Sequence, residues 1–168
     1  EHGMKAAELF LSGSNCAQAV AVAFCDVTGL EPEFAAKLSC SFGGGMGRML
    51  VEGLKKALPE QPITAVGTNA LATAAMLKAG ADQAATGENA IRVCAAKADI
   101  ILAPIGMVLA DAMLGEVTAE MAAAIGRSTA HKILLPVSRC QTSVVGVMKM
   151  TMAEAVEKAV AEAAERMK

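Results

Sequence analysis

Aromatic residues are nearly absent from this sequence. Its 168 residues include no Trp, no Tyr and only four Phe. The hydrophobic fraction of 54% therefore rests on Ala, Val, Leu, Ile and 11 Met. This composition predicts a single core of small, closely packed aliphatic side chains, in which a chain of this length buries about 70% of its unfolded surface.

Basic charge and long apolar runs are scarce as well. The net charge is -2 and the pI is near 5.7. We expect no nucleic acid partner, because neither a basic surface nor aromatic rings are available to bind phosphates and bases. The longest apolar runs, residues 100–110 and 19–25, are shorter than the roughly 20 residues that span a bilayer. No membrane partner and no secretory signal are predicted.

Paired cysteines and clustered histidines are also missing. The five cysteines are widely spaced and form no Cys-x-x-Cys pair. An odd, scattered set argues against a disulfide framework and favours a cytoplasmic location. The two histidines, His2 and His131, show no spacing typical of a zinc site, so no metal site is predicted. Each cysteine is expected to be buried as a small hydrophobic side chain.

The first 42 residues are predicted to form a helical amino-terminal segment. Apolar residues recur at helical spacing over residues 4–24, with a break at Gly13-Ser14. A further short helix is predicted over residues 31–38. At the end of this segment apolar residues alternate with serines, so residues 37–42 are predicted to be extended and to pair beside the strand at residues 63–66.

Residues 43–168 alternate between strand and helix periodicity. Buried strands are predicted at residues 63–66, 99–103, 132–137 and 144–147. Helices are predicted after the glycine loop 43–47, at residues 70–78 with Thr68-Asn69 as the N-cap, and at residues 108–114. Two more are predicted, one from the N-cap Thr118 to Arg127 and one from the Thr151 and Glu154 capping box to the carboxyl terminus. Apolar strands separated by helices indicate a mostly parallel sheet covered on both faces, which is a small Rossmann-like α/β fold.

The segments that follow the strands are the candidate ligand site, because parallel sheets bind ligands beyond the carboxyl ends of their strands. Their glycines let the backbone approach a ligand, and their Thr and Asn side chains form directional hydrogen bonds. The candidate binding residues are Gly43, Gly44, Gly45, Gly47, Thr68, Asn69, Thr86, Gly87, Glu88, Asn89 and Gly106. No catalytic residue and no cofactor are assigned.

The chemistry of this site favours a small anionic or phosphate-bearing ligand. Helices that begin after Gly45 and Asn69 direct unpaired N–H groups and positive dipole ends to the site. Residues 84–90 are expected to form a loop that closes over the ligand. Glu88 in that loop is either a partner for a hydroxyl or cationic group, or a residue that complements a helix dipole.

The glycine stretch has a second interpretation. The spacing Gly43-x-Gly45-x-Gly47 is not the G-x-G-x-x-G dinucleotide fingerprint, and no acidic residue closes a second strand about 20 residues later. In this second interpretation, the glycines bind no ligand and serve only to permit a tight turn and close helix packing.

Several blocks of sequence occur together in the second part of the chain. They include Gly43-Gly44-Gly45-Met46-Gly47, Gly67-Thr68-Asn69-Ala70, Ala85-Thr86-Gly87-Glu88-Asn89, Pro104-Ile105-Gly106 and Lys132-Ile133-Leu134-Leu135-Pro136. Through these blocks, residues 43 to about 165 resemble the uncharacterised domain-of-unknown-function family 3842. The resemblance implies a Rossmann-like fold, and it supplies neither a substrate nor a reaction.

The first 50 residues carry a different set of motifs. These are Ala7-Glu8-Leu9-Phe10, Gly13-Ser14-Asn15-Cys16-Ala17-Gln18 and Phe42-Gly43-Gly44-Gly45-Met46-Gly47. This stretch is similar to the redox-active C-GCAxxG-C-C protein family, although of its cysteines only the one at Cys16 is present. The Cys-Gly-Ala segment of that family is replaced by Leu50-Val51-Glu52-Gly53. The interpretation that follows is a fusion or chimera of the two families, joined at the glycine stretch.

Two other functions stay open beside ligand binding, and the residues do not decide whether the protein is an enzyme. One is a thiol-based redox or metal protein centred on Cys16, with Cys25 or Cys40 as its partner. Cys16 lies among Asn, Ala and Gln rather than cationic residues, so we predict a buried, structural thiol. The other is a module in which Ala- and Met-rich helices form a homo-oligomer and the loops bind no ligand.

Overall fold

The computed structural model describes Met4, Lys5, Glu8 and residues 45–136, 142–148 and 150–167. Contacts divide the chain into two compact units, residues 1–45 and 46–168. The elements, in chain order, are α1 Gly45–Ala57, β1 Thr64–Gly67, α2 Ala70–Lys78, β2 Gln83–Thr86, α3 Glu88–Ala95, β3 Ile100–Pro104, a 3-10 turn Ile105–Val108, α4 Ala119–Arg127, β4 His131–Leu135 and α5 Met152–Arg166.

The strands pair in parallel. β1 pairs with β2 from Thr64 opposite Gln83 to Gly67 opposite Thr86. β3 pairs with β4 from Ile100 opposite His131 onward. Among the described residues these are two separate two-stranded sheets rather than one continuous sheet. Parallel pairing with helical connections confirms the α/β class.

One face of both sheets is covered by α3 and α4. The buried residues of this layer are Ile91, Ala95, Val117, Met121, Ala122 and Ile125. Val66 of β1 and Ile101 of β3 both pack against this cluster. The two sheets therefore share a single apolar layer on this side.

The opposite face is covered by α1, α2 and α5. In β1, Ala65 lies next to Val66 and belongs to a cluster with Val51 and Met76. In β3, Leu102 lies next to Ile101 and packs against a cluster that includes Leu135 of β4 and residues of α1 and α5. Because neighbouring residues of a strand face opposite sides, β1 and β3 are covered on both faces, as the sequence predicts.

The predicted helix caps are confirmed. The Asn69 side chain accepts a hydrogen bond from the Ala72 amide at 2.9 Å, and the Thr118 hydroxyl accepts one from the Met121 amide at 3.2 Å. The Thr151 and Glu154 side chains form a reciprocal capping box at the start of α5. Each cap typically contributes about 1 kcal/mol, so local sequence signals set the start of these helices.

Three predictions in this part of the chain are wrong. The loop expected over residues 84–90 begins as strand β2, which Gly87 separates from α3. The helix expected over residues 108–114 is instead a turn that follows the 3-10 segment, because the amide of Asp111 bonds to the carbonyl of Val117 at 2.8 Å and closes it. The strand expected over residues 144–147 contains a turn with Gly146 at φ 86°, and Val145 there is 97% exposed.

Other expectations concern the amino-terminal unit. Met4, Lys5 and Glu8 are helical. The remainder of the helices predicted within residues 4–38, and the extended segment predicted over residues 37–42, lie outside the residues that the structure describes. In the described ranges no helix has the length and apolar character needed to cross a membrane.

The half-buried amine of Lys55 on α1 links the segment before β1 to the residue that precedes β2. Lys55 Nζ lies 2.7 Å from Asp82 Oδ2 and donates to the Gln61 carbonyl at 3.2 Å. The same carboxylate oxygen accepts the Ile63 amide at 2.7 Å. The hydrogen bond from Lys55, followed by that from the Ile63 amide, lowers the pKa of Asp82 below its ordinary value of 3.8.

We expect Asp82→Asn to lower Tm at neutral pH, because a carboxylate whose pKa is depressed by folding stabilises the native state when ionised. That stabilisation is complete above pH 3.8 and is lost as the pH falls through the lower folded-state pKa. The Tm difference between the two proteins should therefore shrink in strong acid. Asp99→Asn removes an exposed carboxylate without an ion pair in the described ranges, and serves as the control. A difference in Tm that is the same at every pH would contradict this role for Asp82.

Candidate functional site

The carboxyl ends of β1 and β2 lie side by side and carry several predicted site residues. Gly67 is paired with Thr86, and the Gly87 amide donates to the Gly67 carbonyl at 2.9 Å. β1 leads into Thr68 and Asn69, and β2 leads into Gly87 and Glu88. The parallel register therefore brings the two predicted loops to one edge, which we call the strand-end edge.

A pair of threonines holds this edge together. Thr73 Oγ1 lies 2.7 Å from Thr86 Oγ1 and 3.0 Å from the Asn69 carbonyl. A Cβ atom on Gly67 would lie 2.8 Å from the Thr73 amide nitrogen and 3.0 Å from the Asn69 carbonyl oxygen. Only glycine at this position lets α2 begin so close to the ends of the strands. The Thr86 hydroxyl, predicted as a ligand contact, is engaged with Thr73.

Asn69 connects the first loop to a carboxylate from elsewhere in the chain. Its Oδ1 caps α2, and its Nδ2 donates to Glu116 Oε1 at 2.5 Å. The other carboxylate oxygen, Glu116 Oε2, is buried and has no hydrogen-bond partner among the described residues. Leaving a buried acceptor unpaired is costly, so Glu116 Oε2 is an unsatisfied hydrogen-bond acceptor among the described residues.

A second carboxylate lies in the first turn of α3. Glu88 Oε2 accepts a hydrogen bond from Thr118 Oγ1 at 2.6 Å, and Thr118 stands two residues after Glu116. Gly87 precedes the helix at φ 96°, a left-handed conformation that favours glycine. It provides no side-chain cap, so within the described ranges no side chain bonds the first amides of α3. The start of α3 thus offers N–H donors beside two carboxylates.

The turn that precedes Glu116 has a strained backbone. Three residues of the preceding turn, Asp111, Met113 and Leu114, have φ values of 61°, 58° and 59°. Left-handed conformations are unfavourable for such residues and are found mainly where the surrounding structure holds them. The turn is anchored by Val117, which is fully buried at 0% exposure. The chain therefore holds a strained loop that delivers Glu116 to Asn69.

The predicted site residues divide into two groups. The structure brings Thr68, Asn69, Thr86, Gly87 and Glu88 together at the strand-end edge, with Thr68 half-buried. Asn89, by contrast, is exposed and lines a groove between α3 and α4. Gly106 is buried within the 3-10 turn after β3.

The glycine stretch is only partly described. Gly43 and Gly44 lie outside the described residues, and Gly45 is the exposed first residue of α1. Gly47 lies inside α1, where a Cβ atom would come within 2.5 Å of Met76 Sδ. At Gly47 the packing interpretation is therefore the one that the geometry supports.

Glu116 and Thr118 were not predicted as site residues. The sequence predicts Thr118 only as a helix cap, and it predicts Glu116 to follow a helix that does not form. Its position directly after Gly115, in a loop that follows a buried strand, was the available signal, because strand-end loops supply ligand contacts.

The His, Cys, Asp and Glu side chains of the described ranges are scattered. These residues contain no group of three His, Cys, Asp or Glu side chains that could hold a metal ion. Cys94 is a half-buried free thiol. Cys16, with its predicted partners Cys25 and Cys40, lies outside the described residues, so the predicted burial of Cys16 stays a prediction.

Comparison with known proteins identifies a family whose function is unknown. The family model described as "Domain of unknown function (DUF3842)" matches residues 40–168, which is most of the chain. The match leaves out residues 1–39, and nothing in the comparisons supports the resemblance of the amino-terminal stretch to the C-GCAxxG-C-C family. Neither the curated proteins nor the solved structures contain a match to this chain.

Proposed function

The chain belongs to the DUF3842 family, and we propose that its strand-end edge binds a small ligand that carries an anionic group, such as a phosphate, together with a hydroxyl group. The observation that carries the proposal is that, among the described residues, the buried Glu116 Oε2 has no hydrogen-bond partner and the start of α3 has no side-chain cap. Glu116 Oε2 accepts hydrogen bonds, and the first amides of α3 donate them. Together they fit a ligand that has both a hydrogen-bond donor and an anionic acceptor.

The anionic group is assigned to the amino terminus of α3. No side chain in the described part of the chain caps this helix, and its first amides and dipole favour a negative charge. Gly87 has no Cβ, and nothing lies within 4 Å of the position that a Cβ would occupy. A phosphate oxygen can therefore approach this backbone without a steric barrier.

The hydroxyl group is assigned to Glu116. Asn69 fixes one oxygen of this carboxylate, which leaves Oε2 as an acceptor in a defined direction. An anion alone would be repelled by Glu116 and Glu88. A sugar phosphate fits both groups, because its phosphate would accept hydrogen bonds from the α3 amides while one of its hydroxyl groups donates to the Glu116 carboxylate.

We expect ribose 5-phosphate to raise Tm more than either ribose or inorganic phosphate at equal concentration. Glu116→Gln should weaken ribose 5-phosphate binding about tenfold, because the amide nitrogen that replaces Oε2 cannot accept a hydrogen bond. The same substitution should not destabilise the ligand-free protein, since it removes a buried charge while keeping an acceptor for Asn69. Calorimetric titration and thermal unfolding measure the two effects.

Glu60→Gln makes the same chemical change at an exposed turn between α1 and β1, and should leave binding unaltered. The proposal fails if ribose 5-phosphate, other sugar phosphates and nucleotides all leave Tm unchanged. It also fails if Glu116→Gln binds a confirmed ligand as tightly as the unaltered protein.

A further inference from the structure

A groove with a volume of about 650 Å³ runs along the outer surface between α3 and α4. Its floor includes Val93, Ala96 and Ala124, and Val93 is 45% exposed. The groove follows two packed helices over their length, from Asn89 near the strand-end edge to Lys97 beyond the end of α3. It is therefore an elongated apolar surface on the side of α3 and α4 that faces away from the core.

Cationic side chains border this groove. Arg92 and Lys97 lie in and just after the last turn of α3, and Arg127 is the last residue of α4. All three are exposed, and none makes an ion pair with an Asp or Glu in the described part of the chain. Glu120 is the one carboxylate among the residues that line the groove.

The local charge differs in sign from that of the whole protein. The chain carries a net charge of -2, whereas the groove has three cations and one anion. Cations in the last turn of a helix also complement the helix dipole. That role does not explain why cations of two different helices lie along the same groove, or why the floor of the groove is apolar. Charge and shape together favour an anionic partner with an apolar face.

We propose that this groove binds an acidic amphipathic helical segment of a partner protein. Apolar side chains of the segment would cover Val93, Ala96 and Ala124, and its carboxylates would pair with Arg92, Lys97 and Arg127. A helix laid in a groove is a recurrent mode of peptide recognition, and arginine binds carboxylates in a bidentate geometry. A small molecule would stay largely in solvent here, because the groove is open along its length.

The proposal is tested with a fluorescein-labelled helical peptide of about four turns, with Leu on one face and Glu on the other, added to the full chain. We expect fluorescence anisotropy to show binding that weakens as salt is raised, because the contacts are exposed ion pairs. The double variant Arg92→Gln/Arg127→Gln should weaken binding about tenfold or more. Lys78→Gln removes a cation from the last turn of α2, outside the groove, and should leave the affinity unchanged.

A second test uses the unaltered protein, so its result does not depend on whether a variant folds. A peptide with every Glu replaced by Gln should bind at least about tenfold more weakly. Equal binding of the acidic and neutral peptides, or tighter binding of a DNA duplex than of the acidic peptide, would overturn the proposal. The proposal would also be overturned if the double variant bound the acidic peptide as tightly as the unaltered protein does. Circular dichroism checks that the double variant is folded. Ribose 5-phosphate binding at the strand-end edge is a separate measurement, so either proposal can fail alone.

Discussion

Gly67→Ala is expected to destabilise the protein by about 2–3 kcal/mol, the cost of forcing an extra carbon into a well-packed site. The new Cβ would lie 2.8 Å from the Thr73 amide nitrogen and 3.0 Å from the Asn69 carbonyl oxygen. Both atoms belong to the first turn of α2, so the contact cannot be relieved by a side-chain rotation. Urea unfolding measures the loss. The same variant should weaken any ligand of the strand-end edge, because Asn69 must move.

Gly126→Ala is the matched control for that experiment. Gly126 lies in α4, and nothing lies within 4 Å of the position that its Cβ would take. Alanine in a helix is favoured over glycine by roughly 0.5–1 kcal/mol, so this variant should be more stable than the unaltered protein. If the two substitutions had the same effect on stability, the close approach of α2 to β1 could not be the reason for Gly67.

Leu135→Ala is expected to cost about 3 kcal/mol, within the usual range for a leucine removed from a core. Leu135 ends β4 and is 1% exposed. It packs with Leu50 of α1 and with Val156 of α5, so its loss leaves a cavity where three elements meet. Leu71→Ala tests the specificity of this effect, because Leu71 is 60% exposed and should change stability by about 0.5 kcal/mol or less. Comparable losses at the two positions would contradict this description of the core.

The candidate site shows where inference from local sequence ends. Asn69 and Glu88 were identified because polar residues after a strand or at a helix start have recognisable local roles. Glu116 lies 47 residues from Asn69, and no pattern in the sequence pairs the two. The hydrogen bond between Glu88 and Thr118 joins residues 30 positions apart, and no sequence pattern pairs these two residues either. The polar partners of the edge are thus set by which loops the folded chain brings together.

The sequence by itself determined the features that depend on neighbours within a few residues. The α/β class follows from alternating periodicities, and α2, α4 and α5 begin where Asn69, Thr118 and Thr151 cap them. Only the tertiary structure decided the rest. The segment Gln83–Thr86 has no β-branched run and is a strand because β1 offers it backbone partners, whereas residues 144–147 are apolar but turn at Gly146. Backbone hydrogen bonding to a distant segment, rather than local preference, makes Gln83–Thr86 a strand, whereas residues 144–147 pair with no strand among the described residues.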